Sequence, residues 1–122
     1  MKNESQKLVV SISHGGENEL STVGFTVANG GLANDQDVSI FLTSNGVDIV
    51  RKNAIDTTQV EPFSPLKTLV DSFIEQGGTI WACSPCVKGR GYTEADFIDG
   101  VIVTGASPML EEIGNGAAAL SF

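Results

Sequence analysis

Positive charge is scarce in this chain: seven Lys and Arg stand against fifteen Asp and Glu, for a formal net charge of -8 and a pI near 4.3. Nucleic-acid affinity rests on neutralising phosphates with Lys and Arg, so this balance excludes a polyanion-binding protein, and the acidity reads as solubility. No apolar run reaches membrane length, which argues against a spanning helix. The first residues, Met1 to Lys7, lead directly into a strand and carry no apolar signal segment, so a soluble cytoplasmic protein is expected. There are only two cysteines and one histidine. That excludes a disulfide scaffold. It also denies a structural zinc site its usual four Cys or His ligands, unless a carboxylate, a water or a second subunit supplies the rest.

What is present organises into one domain, residues 1–122, long enough to bury a core. Leu8 to Ile12, Val38 to Leu42, Thr79 to Ala82 and Val101 to Val103 are short continuous apolar runs, each followed by turn residues, and Ala117 to Phe122 reads as a closing strand. Between them lie helical patterns. Leu20, Val23, Val27 and Ala28 recur at helical spacing within 17–33. Ser64 as N-cap and Pro65 at the first position open a second helix, with Leu66, Leu69, Val70, Phe73 and Ile74 on one face until Gly77. Val47 to Arg51 reads as one or two helical turns, 53–63 has no clear period, Tyr92 to Ile98 is an irregular or briefly helical link, and Ser107-Pro108 opens a short last helix. Strands without polar alternation, separated by helices, imply a mostly parallel sheet covered on both faces: a three-layer α/β/α sandwich. In such folds ligands bind at the carboxyl ends of the strands. Those ends run into Ser13-His14-Gly15, Thr43-Ser44-Asn45, Cys83-Ser84-Pro85 and Thr104-Gly105-Ala106.

Both cysteines fall at one of these ends, as Cys83-Ser84-Pro85-Cys86. A thiol is a nucleophile as thiolate, and a helix N-terminus with nearby Lys88 and Arg90 favours the anion, so a lowered Cys83 pKa is predicted. Cys86 is close enough to resolve an oxidised or sulfur-loaded Cys83 as a disulfide. His14, at the first strand end, is a candidate for proton transfer. Against these stand plainer readings: buried apolar cysteines, a structural histidine, and Trp81 as core or interface packing.

The segment 81–86 resembles the thioredoxin motif, but two βα units precede it, Gly89 and Gly91 end its helix early, and Pro108 opens a helix where a facing proline strand is needed. His14-Gly15-Gly16 and Gly114-Asn115-Gly116 are too short for a phosphate-cradling loop, so no flavin or nucleotide cofactor is expected.

The order of elements, Gly77 to Cys83, the Arg90-Gly91-Tyr92 that follows, and Asp96 to Ala106 are similar to the DsrE/DsrF-like family, across the whole chain. In its sulfur-relay members a cysteine precedes an Arg-Gly pair by a fixed distance, and Cys83 is the match. Cys86 lacks a counterpart there and resembles a Cys-x-Pro-Cys subgroup. The resemblance implies a five-stranded, mostly parallel sheet and assembly into trimers or hexamers. It also implies a sulfur-carrier or thiol-redox role, with a sulfur-donor or acceptor protein as partner. Cys83 is then the nucleophile and Cys86 the resolving thiol, with Lys88, Arg90 and His14 in support and no cofactor or metal. The alternative is a non-enzymatic oligomer that binds a small ligand and uses its cysteines structurally.

Overall fold

The structure, a computed structural model, describes residues 6–122. The reading of the first five residues as a leader-free entry to the first strand lies outside them. Five strands, β1 (Lys7–Ile12), β2 (Asp37–Leu42), β3 (Thr79–Cys83), β4 (Val101–Thr104) and β5 (Ala118–Ser121), form one sheet in the order β4-β3-β2-β1-β5. Every neighbouring pair is parallel. Among the described residues the α-helices are α1 (Glu19–Ala33), α2 (Leu66–Glu75), α3 (Ser84–Gly89) and α4 (Ser107–Gly114). Two 3-10 helices, Ser44–Val50 and Glu94–Asp96, fill the connections. Parallel pairing places the carboxyl ends of β1 to β4 on one edge of the sheet, so their four following turns are neighbours.

The main core lies between the sheet and the α1/α2 layer. Leu8, Val10 and Ile12 of β1, Val38, Ile40 and Leu42 of β2, and Ile80 and Ala82 of β3 meet Phe25 and Ala28 of α1 and Leu66, Val70 and Phe73 of α2. Alternation on the strands sends Val9, Phe41 and Trp81 to the opposite face, where they are also buried. Burial on both faces is why these strands lack a polar/apolar pattern. The opposite face is less evenly covered: along the row Phe41, Trp81, Ile102, exposure runs from 5% through 7% to 50%. Leu110 and Ile113 of α4 are exposed as well.

Helix α1 packs by a different face from the one its apolar spacing suggests. Ser21, Thr22, Gly24, Phe25, Ala28 and Gly31 are buried, while Leu20 is exposed and Val23 and Val27 only half-buried. Small residues let the helix approach the sheet closely. A Cβ on Gly24 would come within 2.8 Å of Ile12 Cδ1, and one on Gly31 within 2.8 Å of Val38 Cγ2. The helix begins later than acids in the first turn suggest, with Asn18 as N-cap accepting from the Leu20 amide. Helix α2 likewise starts at Leu66, with Pro65 rather than Ser64 at the cap and no side-chain cap bond. Its buried face is the one expected.

Candidate functional site

The β3–α3 turn ends a buried strand and starts a helix of six residues. Cys83 is the last residue of β3 and the N-cap of α3, and Cys86 sits one turn on. That spacing folds the second thiol back over the first. The Cys86 Sγ donates to Cys83 Sγ at 2.7 Å, and both cysteines are free and half-buried.

The β2 turn supplies the other wall. After β2 the chain tightens at Thr43, and Ser44 takes a left-handed φ of 49°, uncommon for a residue with a side chain. In that conformation the Ser44 amide donates to Cys86 Sγ at 3.2 Å. Gly46 allows the turn to sit against the end of β1: a Cβ there would overlap the Ile12 carbonyl oxygen. That same oxygen accepts from the Thr43 amide at 3.0 Å, and the Gly46 amide closes back on the Thr43 carbonyl at 2.8 Å.

Arg90 joins the two turns. One guanidinium nitrogen donates to the Cys86 carbonyl at 3.2 Å and another to Asn45 Oδ1 at 2.8 Å. Farther along, Tyr92 donates to Asp48 Oδ1 at 2.6 Å and the Arg51 guanidinium stacks 4.3 Å above its ring. The hydrogen bond to Asp48 raises the Tyr92 phenol pKa, burial and the Asp48 charge add to it, and Arg51 and Arg90 pull it down without prevailing. The Arg90-Gly91-Tyr92 stretch is thus a strap fastened to the 3-10 helix Ser44–Val50.

The predicted site residues separate into two groups. Cys83, Cys86 and Arg90 come together. Lys88 lies exposed in the last turn of α3, and no hydrogen bond or ion pair joins it to either sulfur among the described residues. His14 follows β1, with the β2 turn between it and the cysteines; its carbonyl accepts from Ser21 Oγ at 2.7 Å, and its Nδ1 is buried with no partner among the described residues. Two participants escaped the sequence reading, the Ser44 amide and Asn45. Their turn was visible as a strand end on the same edge, but a backbone donor leaves no mark in residue types.

The predicted lowering of the Cys83 pKa is reversed. Burial pushes the Cys83 thiol up, and the hydrogen bond with Cys86 adds to it; the Cys86 amide and Arg90 pull down without prevailing. A helix of barely two turns leaves burial the larger effect. Among the described residues no cluster of three His, Cys, Asp or Glu is arranged to hold a metal. The arrangement can do dithiol chemistry: one thiol attacks, and the other, already in contact, closes a disulfide.

Comparisons with known proteins bear on the family and the fold. The model of the DsrE/DsrF-like family matches residues 6–122. An uncharacterised protein of Methanocaldococcus jannaschii is 30% identical over 93 residues, covering 76% of each chain. One from Methanopyrus kandleri is 39% identical over 70 residues, 57% of this chain and 54% of that protein, so the match spans about half its length. Among solved structures, the ychN protein of E. coli superposes with a TM-score of 0.80 at 16% identity, covering 98% of this chain and all of that one. A protein of unknown function from Methanobacterium thermoautotrophicum gives 0.77 at 19%, covering 97% and 100%. At these identities the two structures share the fold.

Proposed function

This chain belongs to the DsrE/DsrF-like family, and on that premise we propose that it is a small cytoplasmic sulfur-carrier or thiol-redox protein whose Cys83–Cys86 pair takes up sulfane sulfur or an oxidising equivalent. The observation that carries the reading is the 2.7 Å separation of the two sulfurs at the sheet edge where this fold class binds ligands. Cys83 holds the position that matches the relay cysteine, and at this separation either thiol can attack and the other resolve. Arg90 supplies the positive charge beside the pair and fixes the turn. Lys88 and His14 remain candidates for support, Lys88 through long-range charge and His14 through its unpartnered ring nitrogen. A donor or acceptor protein presents and removes the sulfur at this half-buried turn.

Mass spectrometry after exposure of the reduced protein to inorganic polysulfide tests this. Wild type is expected to gain a disulfide, Cys83→Ser and Cys86→Ser to retain one added sulfur each, and the double variant to remain unchanged. No disulfide in wild type together with no added sulfur in either single variant removes the proposal and leaves a ligand-binding protein with structural cysteines.

The exposed Ile102, Leu110 and Ile113 on the less covered sheet face support a homo-oligomer, a trimer or hexamer, in which copies cover that face. No helix among the described residues is long and apolar enough to cross a membrane. Light scattering is expected to give three or six times the chain mass; a monomer at all accessible concentrations would contradict it.

A further inference from the structure

Residues 49–56 leave the 3-10 helix Ser44–Val50 and, with α2 and Ile98, wall a cavity of about 140 Å³. Neither cysteine lines it, nor do Ser44, Asn45 or Arg90. We propose that this cavity binds a small apolar carboxylate, its hydrocarbon body on the floor and its carboxylate between Arg51 and Lys52 at the rim. The site is separate from the dithiol and does not depend on its chemistry.

The floor is carbon. Ile49, Ile55 and Val70 are buried, and Ile98 packs against the same core. Such a surface offers water no hydrogen bonds, and an aliphatic cavity of about 150 Å³ is large enough to take benzene, so this one admits a body of about six carbons. The walls are fixed through the backbone. The Lys52 amide donates to the Asp96 carbonyl at 2.9 Å and the Ile98 amide to the Val50 carbonyl at 2.9 Å. Asn53 then takes a left-handed φ of 65°, which asparagine tolerates better than most residues, and the chain turns so that Lys52 and Ile55 line one space.

The rim sets the sign of the ligand. Three of the seven basic residues in a chain of net charge -8, Arg51, Lys52 and Lys67, line this one cavity. Asp56 and Asp71 line it too, but they serve the lysine of α2. Lys67 pairs with Asp71 at 2.8 Å, and Asp71 first, with Asp56 behind it, raises the Lys67 pKa, so both acids lie near that ammonium. Arg51 and Lys52 form no ion pair among the described residues. Arg51 is held by stacking over the Tyr92 ring, which leaves the in-plane N–H groups of the guanidinium free to donate to a carboxylate.

An anion with an apolar body uses both halves of this arrangement. Charge-assisted hydrogen bonds hold the carboxylate, and removal of the hydrocarbon from water holds the rest. An inorganic anion would leave the floor empty, and a cation of the same shape would meet Arg51 and Lys52.

Titration of the isotope-labelled protein with sodium benzoate, followed through its amide NMR signals, tests the proposal. Benzoate supplies a six-carbon ring and one carboxylate. It is expected to saturate with a Kd of about 1 mM, the scale for a ligand of this few atoms, and to shift the amides of 49–56 and Ile98 most. Benzylamine, with the same ring and the opposite charge, is expected to bind at least about tenfold more weakly, and Lys52→Glu, an exposed change, to weaken benzoate by about tenfold. No saturation by about 20 mM benzoate overturns the proposal. So does benzylamine binding as tightly as benzoate, benzoate affinity unchanged in Lys52→Glu, or shifts centred away from this cavity.

Discussion

Phe73→Ala is expected to lower stability by about 4 kcal/mol, within the range for truncating a fully buried phenylalanine. Phe73 is fully buried on α2, and its ring meets that of Phe25 on α1 edge to face, with centroids 6.1 Å apart. The two rings connect the helices to each other above the sheet, so truncation leaves a cavity at the junction of three elements. The surroundings have little freedom to collapse into it, because α1 already lies against the strands through Gly24 and Gly31. Domains of this size hold roughly 5–15 kcal/mol in all, so the variant should stay folded in buffer but unfold early in denaturant. With a urea slope of about 2 kcal/mol per molar, the midpoint should fall by about 2 M. Thr68→Ala, exposed on the same helix, should move it by less than about 0.5 kcal/mol. A Phe73→Ala midpoint within 0.5 M (roughly 1 kcal/mol at that slope) of wild type would mean that the two helices are not held by this pair.

The fold was legible where burial is symmetric and illegible where small residues do the packing. Ser39 and Thr79 apart, Val38 to Leu42 and Thr79 to Ala82 are apolar rather than alternating because residues such as Ile40 and Phe41 face opposite layers, and both layers are closed. That pattern suffices to assign parallel strands, and the observed sheet is parallel throughout. Helix α2 was equally plain, since Leu66, Val70 and Phe73 form one large apolar stripe. In α1 the stripe of larger apolar residues misleads. Its inner face is Ser21, Thr22, Gly24, Ala28 and Gly31 with a single Phe25, chosen for thickness rather than hydrophobicity. Hydropathy spacing cannot register a helix that buries itself by being thin.

At the site, the residue types identified the pair and the position identified the sheet edge. Cys83, Cys86 and Arg90 lie together as their spacing implies. The direction of the Cys83 pKa was not legible, because a count of nearby charges and a helix start says nothing of how deeply the sulfur is set. Neither was the Ser44 amide. A backbone N–H is present at nearly every residue, and only tertiary structure decides which one points at a sulfur.

Gly46→Ala is the second large effect, and it separates the turn from the thiols it serves. The new methyl would overlap the Ile12 carbonyl oxygen and press on the Ile12 carbonyl carbon at 3.3 Å, both of them backbone atoms at the end of a buried strand. Neither can swing aside as a side-chain tip would. The turn must therefore lift, weakening the Thr43 amide bond to the same oxygen, at a cost of about 3 kcal/mol by the usual penalty for overpacking. Lifting carries the Ser44 amide away from Cys86 Sγ. An amide bond to a charged sulfur contributes about 1.5–3 kcal/mol, so iodoacetamide labelling of Cys86 at neutral pH should slow by about tenfold once that donor is lost. Gly30→Ala provides the comparison, because a methyl there meets nothing within 4 Å and the substitution favours helix. Measured well below its melting temperature, Gly46→Ala should show both the lower stability and the slower labelling. A destabilised variant with an unchanged labelling profile would show that the turn holds the fold together without tuning the sulfur.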